Sequence, residues 1–227
     1  MKNILIIGGT KGIGKSIVDD LVDHNNIICL SRNKPDFQHQ NYAHMEFDAL
    51  SDEYPQMENL DCLIYCPGSI NLKPISTLTL EDFRNDFEIN VMGAIKAIKK
   101  YLPLLKKSPS ASILLFSTVA TKLGMPYHAS VSVAKSGVDG LVKTLGSELA
   151  PKVRINAIAP TITNTDLASK ILRNEKVIEN MIERHPLKKI LTSDEVAKMA
   201  SFLISEDASS ISGQIFNMDA GIVTFKS

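Results

Sequence analysis

A glycine cluster set between a β-rich run and an amphipathic stretch constrains this chain more than any other feature. Residues 3–7 read as a buried strand, GGTKGIG (8–14) follows at once, and KSIVDDLVD continues with helical spacing. A glycine at the strand end permits a tight turn, a second lets backbone amides approach a pyrophosphate, and the last lets helix and strand pack closely. The helix N-terminus then offers unpaired amides and the positive end of its dipole to an anion. The strand before and the helix after make a weak motif specific. The expectation is a βαβ unit in which Gly8, Thr10, Lys11, Gly12, Ile13 and Gly14 hold a dinucleotide.

The rest of the chain repeats that unit. Short apolar runs at 27–30, 45–47, 62–65, 112–116, 154–159 and 214–217 alternate with stretches of helical spacing, the pattern of a parallel sheet buried on both faces. Residues 79–107 carry the clearest helix: Thr79 can cap it with Asp82 three residues on, and Phe83, Phe87, Ala94, Ile95, Ile98, Leu102 and Leu105 form one stripe. A second spans 128–149, with Val131, Ala134, Val138, Leu141, Val142, Leu145 and Leu149 on one face. Between Leu30 and the strand at 45, Asn33, Lys34, Pro35, Asp36 and Gln38 read as a loop, so the second crossover has lost most of its helix. At 227 residues and 44% hydrophobic, the chain suits one domain (1–227) with a doubly wound parallel α/β sheet, a Rossmann fold.

Composition removes other classes. Lys+Arg and Asp+Glu number 25 each, which leaves no basic surplus for nucleic acid or an anionic membrane. No apolar stretch reaches the roughly 18–20 residues of a membrane span, and the opening run breaks into glycines before a signal core forms. The chain therefore reads as soluble and cytoplasmic. Cys29, Cys62 and Cys66 lack metal-ligand spacing and read as small buried hydrophobes, so no metal site is expected.

The second strand ends Cys29-Leu30-Ser31-Arg32. An acid here would bind the ribose hydroxyls of NAD and repel a 2′-phosphate, and there is none. Arg32 can grip a phosphate, Ser31 can donate to it, and Lys11 adds a second positive charge, so the expected cofactor is NADP(H).

The spacing Gly8-x3-Gly12-Ile13-Gly14 resembles that of the short-chain dehydrogenase/reductase family, and the resemblance extends over nearly the whole chain. Asp48 matches the family's adenine-binding aspartate, and Asn90 the helix asparagine of its catalytic tetrad. ILLFST (113–118) looks like its serine-bearing strand, and Lys135 ends its Y-x-x-x-K motif. Residues 154–167, with Pro160, Thr163 and Thr165, resemble the strand and loop on the nicotinamide side, and 212–221 the closing strand and loop. The resemblance implies an oxidoreductase acting on a small carbonyl or alcohol, assembled as a homodimer or homotetramer.

In that family a tyrosine exchanges the proton with the substrate oxygen. The lysine four residues on lowers its pKa and holds the nicotinamide ribose; a serine bonds the substrate oxygen, and the asparagine supports a water relay. By this spacing the tetrad reads Asn90, Thr118, Val131 and Lys135, with a valine at the tyrosine position and Ser117 expected to face away. His128 titrates near neutrality and is the first candidate for the missing acid, although it also reads as a helix-start residue. Tyr127 and Ser130 are other options, although Tyr127 also reads as packing. Tyr65-Cys66-Pro67-Gly68 replaces the family's Asn-Asn-Ala-Gly, so Gly68 keeps the close approach to the cofactor while the tethering asparagine is gone; Thr161 replaces a glycine. Residues 163–190 are expected to form a lid whose Arg173, Lys176, Arg184 and His185 read as a solvated face, with recognition of an anionic substrate as the alternative. Three functions stay open: a reductase with altered proton delivery, a cofactor-binding sensor or partner subunit without turnover, and non-redox use of the pocket.

Overall fold

The first strand, β1 (Asn3–Ile7), buries side chains on both faces: Leu5 and Ile7 enter one core, Ile4 and Ile6 the other. That is why its sequence is continuously apolar rather than alternating. The computed structural model describes residues 1–225. After β1 come α1 (Gly12–Leu21), β2 (Asn26–Ser31), β3 (Tyr42–Glu46), β4 (Cys62–Tyr65), α2 (Leu80–Phe87), α3 (Gly93–Leu105) and β5 (Ala111–Phe116). The chain continues through α4 (Ala129–Glu148), β6 (Val153–Pro160), β7 (Thr163–Asn164), α5 (Glu175–Arg184), β8 (Leu191–Thr192), α6 (Ser193–Ile204) and β9 (Ile215–Met218). Seven parallel strands stand in the order β3-β2-β1-β4-β5-β6-β9, and β7 pairs with β8 apart from them. The helices α3 and α4 cover the Leu5 face, α1 and α6 the Ile4 face. Strand order reverses between β1 and β4, which opens a crevice at their C-terminal ends.

The doubly wound parallel sheet is the expected one, and 32–41 crosses from β2 to β3 without a helix. Thr79 caps α2 as its sequence foretells: its hydroxyl accepts from the Asp82 amide at 3.1 Å, and the Asp82 carboxylate accepts from the Thr79 amide at 2.9 Å. The single helix expected over 79–107 is broken by a π-helical turn at Glu88–Met92. There the Tyr65 hydroxyl, on β4, donates to the carbonyl of Ile89 at 2.8 Å. Gly93 follows because a Cβ at that position would lie 2.0 Å from the same hydroxyl oxygen. Residues 193–204 form α6 behind a capping box of Thr192 and Glu195.

Candidate active site

The crevice is a cavity of about 530 Å³ at the C-terminal edge of the sheet. The turn after β1 contributes Gly8, Lys11, Gly12, Ile13 and Gly14 to its wall; Gly68 follows β4, and Thr118 follows β5. His128, Val131 and Lys135 enter from the start of α4, while Pro160, Thr163 and Thr165 close the side beyond β6. These residues are spread over more than 150 positions of sequence and meet only because parallel strands end at one edge.

The glycine turn has the geometry of an anion cradle. Gly8 has φ +80° and Gly12 φ +53°, and a Cβ on Gly14 would stand 2.1 Å from the Gly8 carbonyl oxygen. Lys11 is the N-cap of α1 and makes no side-chain cap, so no side chain of the N-cap competes for the first amides of the helix. The glycines and free helix amides of this turn fit the phosphates of a dinucleotide.

Thr10, Ser31, Arg32 and Asp48 lie outside the cavity, around the ends of β2 and β3. Arg32 follows β2 directly and is exposed. Ser31 differs from expectation. Its hydroxyl donates to the Asn33 carbonyl at 3.0 Å, while Thr10 Oγ1 at 3.1 Å and His44 Nε2 at 2.9 Å surround its oxygen. A serine so engaged braces the strand end rather than offering a proton to a phosphate. His44, thirteen residues away on β3, is a group the sequence analysis missed. One Asp48 carboxylate oxygen accepts from the Leu50 amide at 2.9 Å, which orders the turn after β3.

Lys135 is 8% exposed, and its Nζ donates to the Phe116 carbonyl at 2.7 Å. Burial brings its pKa down to about 8. Gly68 allows this approach: a Cβ there would meet Lys135 Nζ at 3.4 Å and Asn90 Oδ1 at 3.0 Å. Asn90 stands behind the wall in the π-helical turn, where its Nδ2 donates to the Asp86 carbonyl at 2.8 Å and to Ser69 Oγ at 3.0 Å. Thr118 Oγ1 accepts from the Ala120 amide at 3.3 Å and caps the short 3-10 turn after β5. Ser117 does not face away: β5 ends at Phe116, strand alternation stops with it, and Ser117 also lines the cavity.

At the mouth, His128 Nδ1 donates to the Pro126 carbonyl at 2.7 Å, which leaves Nε2 for a partner in the cavity. Tyr127 is not packing; it is 58% exposed at the rim with φ 68°, a left-handed conformation uncommon outside glycine. His185 is not on a solvated face. It is 2% exposed, its Nδ1 donating to the Met181 carbonyl at 2.6 Å and its Nε2 accepting from Thr161 Oγ1 at 2.8 Å. Thr161, where a glycine was expected, thus ties the end of α5 to the end of β6. Among the described residues there is no cluster of metal ligands, and no helix is long and apolar enough to cross a membrane.

Comparison with known proteins gives the family. The family model described as enoyl-(acyl carrier protein) reductase matches residues 35–223. The chain belongs to the short-chain dehydrogenase/reductase family. Within it, a tropinone reductase homolog of Arabidopsis thaliana is 31% identical, over 97% of this chain and 91% of its own. The 3-oxoacyl-[acyl-carrier-protein] reductase of Buchnera aphidicola is 26% identical, over 97% of both chains. Among solved structures, ElxO with NADP bound superposes with a TM-score of 0.89 at 26% identity, covering 99% of this chain and all of that one.

Proposed function

We propose that this protein is a cytoplasmic NADP(H)-dependent oxidoreductase that interconverts a small carbonyl compound and its alcohol. The observation that carries the reading is the single cavity that joins the glycine turn to Lys135 and Thr118. The reductases among its relatives and the NADP bound by ElxO support it.

When bound, the cofactor supplies or accepts the hydride. The amides of Gly12–Gly14 hold its pyrophosphate, Arg32 and Lys11 hold a 2′-phosphate, and Asp48 meets the adenine. Lys135 holds the nicotinamide ribose, backed by Asn90, while Pro160, Thr163 and Thr165 bound the nicotinamide pocket. The Thr163 and Thr165 hydroxyls donate to the carbonyls of Thr161 and Thr163, which leaves their oxygens free to accept from a carboxamide. Thr118 places the substrate oxygen. Val131 is buried in the cavity wall four residues before Lys135 and has no proton to exchange, so this step falls to another side chain. His128 is a protic side chain on the same wall.

The test is fluorescence titration with NADPH, then a consumption assay over a panel of ketones and aldehydes. The reading expects saturable binding and turnover of at least one compound. Binding without any turnover would leave a nucleotide-binding relative, and no binding would end the proposal.

A further inference from the structure

Only one residue of α2 is buried, and it is an acid. Asp86 is 3% exposed. A carboxylate at that depth costs several kcal/mol unless its oxygens are satisfied, yet Oδ2 has no hydrogen-bond partner among the described residues. The other oxygen, Oδ1, accepts from the Ser69 hydroxyl at 2.5 Å, a short bond of the charge-assisted kind. Ser69 follows Gly68 directly, and Gly68 is where Lys135 Nζ and Asn90 Oδ1 converge. Lys135 feels the charge of Asp86 across this cluster, together with Cys66 and Asp139.

The inventory of bonds at Ser69 decides what the pair can do. A hydroxyl has one proton and two lone pairs. The proton goes to Asp86, and one lone pair takes Asn90 Nδ2 at 3.0 Å. The second lone pair is left, and Ser69 lines the cavity. A substrate hydroxyl is the partner that completes it.

We propose that Ser69 is the residue that exchanges the proton with the substrate oxygen, and that Asp86 is the positioning residue that takes that proton through it. The assignment rests on the oxidoreductase reading above and names the group that serves in place of a phenol. In alcohol oxidation the substrate O–H bond breaks and its proton joins Ser69 Oγ. The proton already on Ser69 passes to Asp86 Oδ1, so the substrate oxygen keeps the bonding pair and forms the carbonyl. The hydrogen on carbon departs as hydride to the oxidised nicotinamide. Once the ketone has left, the proton on Asp86 returns through Ser69 to water in the cavity. Ketone reduction is the same path reversed, taking one proton from solvent.

Two measurements test this. In unliganded protein, the proton of the Ser69–Asp86 bond should give a resonance far downfield in the proton NMR spectrum, absent from Ser69→Ala and from Asp86→Asn. With NADP⁺ and a panel of cyclohexanol, 2-octanol and 1-phenylethanol, both variants should lose about 10²-fold in kcat, with KM and NADPH affinity changed less than about two-fold. Ser69→Thr, which keeps the hydroxyl, should retain most of the rate. Asp86→Asn is nearly isosteric, and its NADPH affinity reports that the fold is intact. The proposal is overturned if Ser69→Ala keeps its kcat, if the downfield resonance is missing, or if wild-type protein binds NADPH but oxidises no alcohol of the panel. A wild-type chain that shows the resonance but binds neither nucleotide removes the oxidoreductase reading and the catalytic role with it, a result distinct from binding with an unaffected Ser69→Ala.

Discussion

Lys135 shows how one side chain meets two demands. Its ammonium is proposed to hold a ribose, yet it is buried on the inner face of α4, where desolvation lowers its pKa to about 8. Below that pH the folded protein carries the full penalty of a buried charge. As pH rises from about 8 towards the ordinary lysine value of 10.5, the folded state releases its proton while the unfolded chain still holds one. The unfolded state then binds more protons, so stability rises with pH over this window. Urea midpoints at the two ends of the window should therefore climb in the wild type, relative to Lys135→Met, in which the climb is removed. Val131 offers a second test at this scale. Its side chain faces the cavity one helical turn before Lys135, so Val131→Tyr places a phenol beside the lysine. Ketone reduction should rise about 10²-fold, with NADPH affinity within a few-fold; an unchanged rate would mean that the phenol does not reach the substrate oxygen.

The elements around the π-helical turn are coupled through one hydroxyl. Tyr65→Phe removes the bond to the Ile89 carbonyl and should cost about 1 kcal/mol of stability. Gly93→Ala should cost more, because its Cβ would lie 2.0 Å from the Tyr65 oxygen. With both changes the clash with that oxygen is gone, so denaturant unfolding of the double variant should show a loss smaller than the sum. This joint also marks the limit of what the sequence makes legible. Apolar runs, the glycine turn and the Thr79–Asp82 cap are local patterns and appear close to where expected, except that β3 begins three residues before its run at 45–47 and is largely exposed, as an edge strand can be. The break in the long helix depends on a tyrosine 24 residues earlier, which no periodicity within 79–107 can report. Ser69 with Asp86, Ser31 with His44, and Thr161 with His185 are likewise polar pairs made by the fold between distant segments. The capping box of α6 is a different case: Thr192 and Glu195 stand at the diagnostic spacing and were legible.

At the scale of the molecule, the parallel sheet does one thing for function: it brings the ends of β1, β4, β5 and β6 to a common edge, where the cavity lies. The surface adds a second expectation. Phe87 on α2 and Val133 on α4 are 40% and 57% exposed on helices that pack together, and a second copy of the chain is the proposed cover. Light scattering should then give a multiple of the 24.9 kDa chain mass, and Val133→Asp should lower it. The central claim is that the turn after β1, aided by Arg32 and Lys11, holds a 2′-phosphorylated dinucleotide. Calorimetric titration of the purified chain with NADPH and with NADH tests it most directly. The account predicts saturable binding of both, with NADPH at least about ten-fold tighter and the difference lost in Arg32→Ala. Tighter binding of NADH, or no heat from either nucleotide at millimolar concentration, would contradict it.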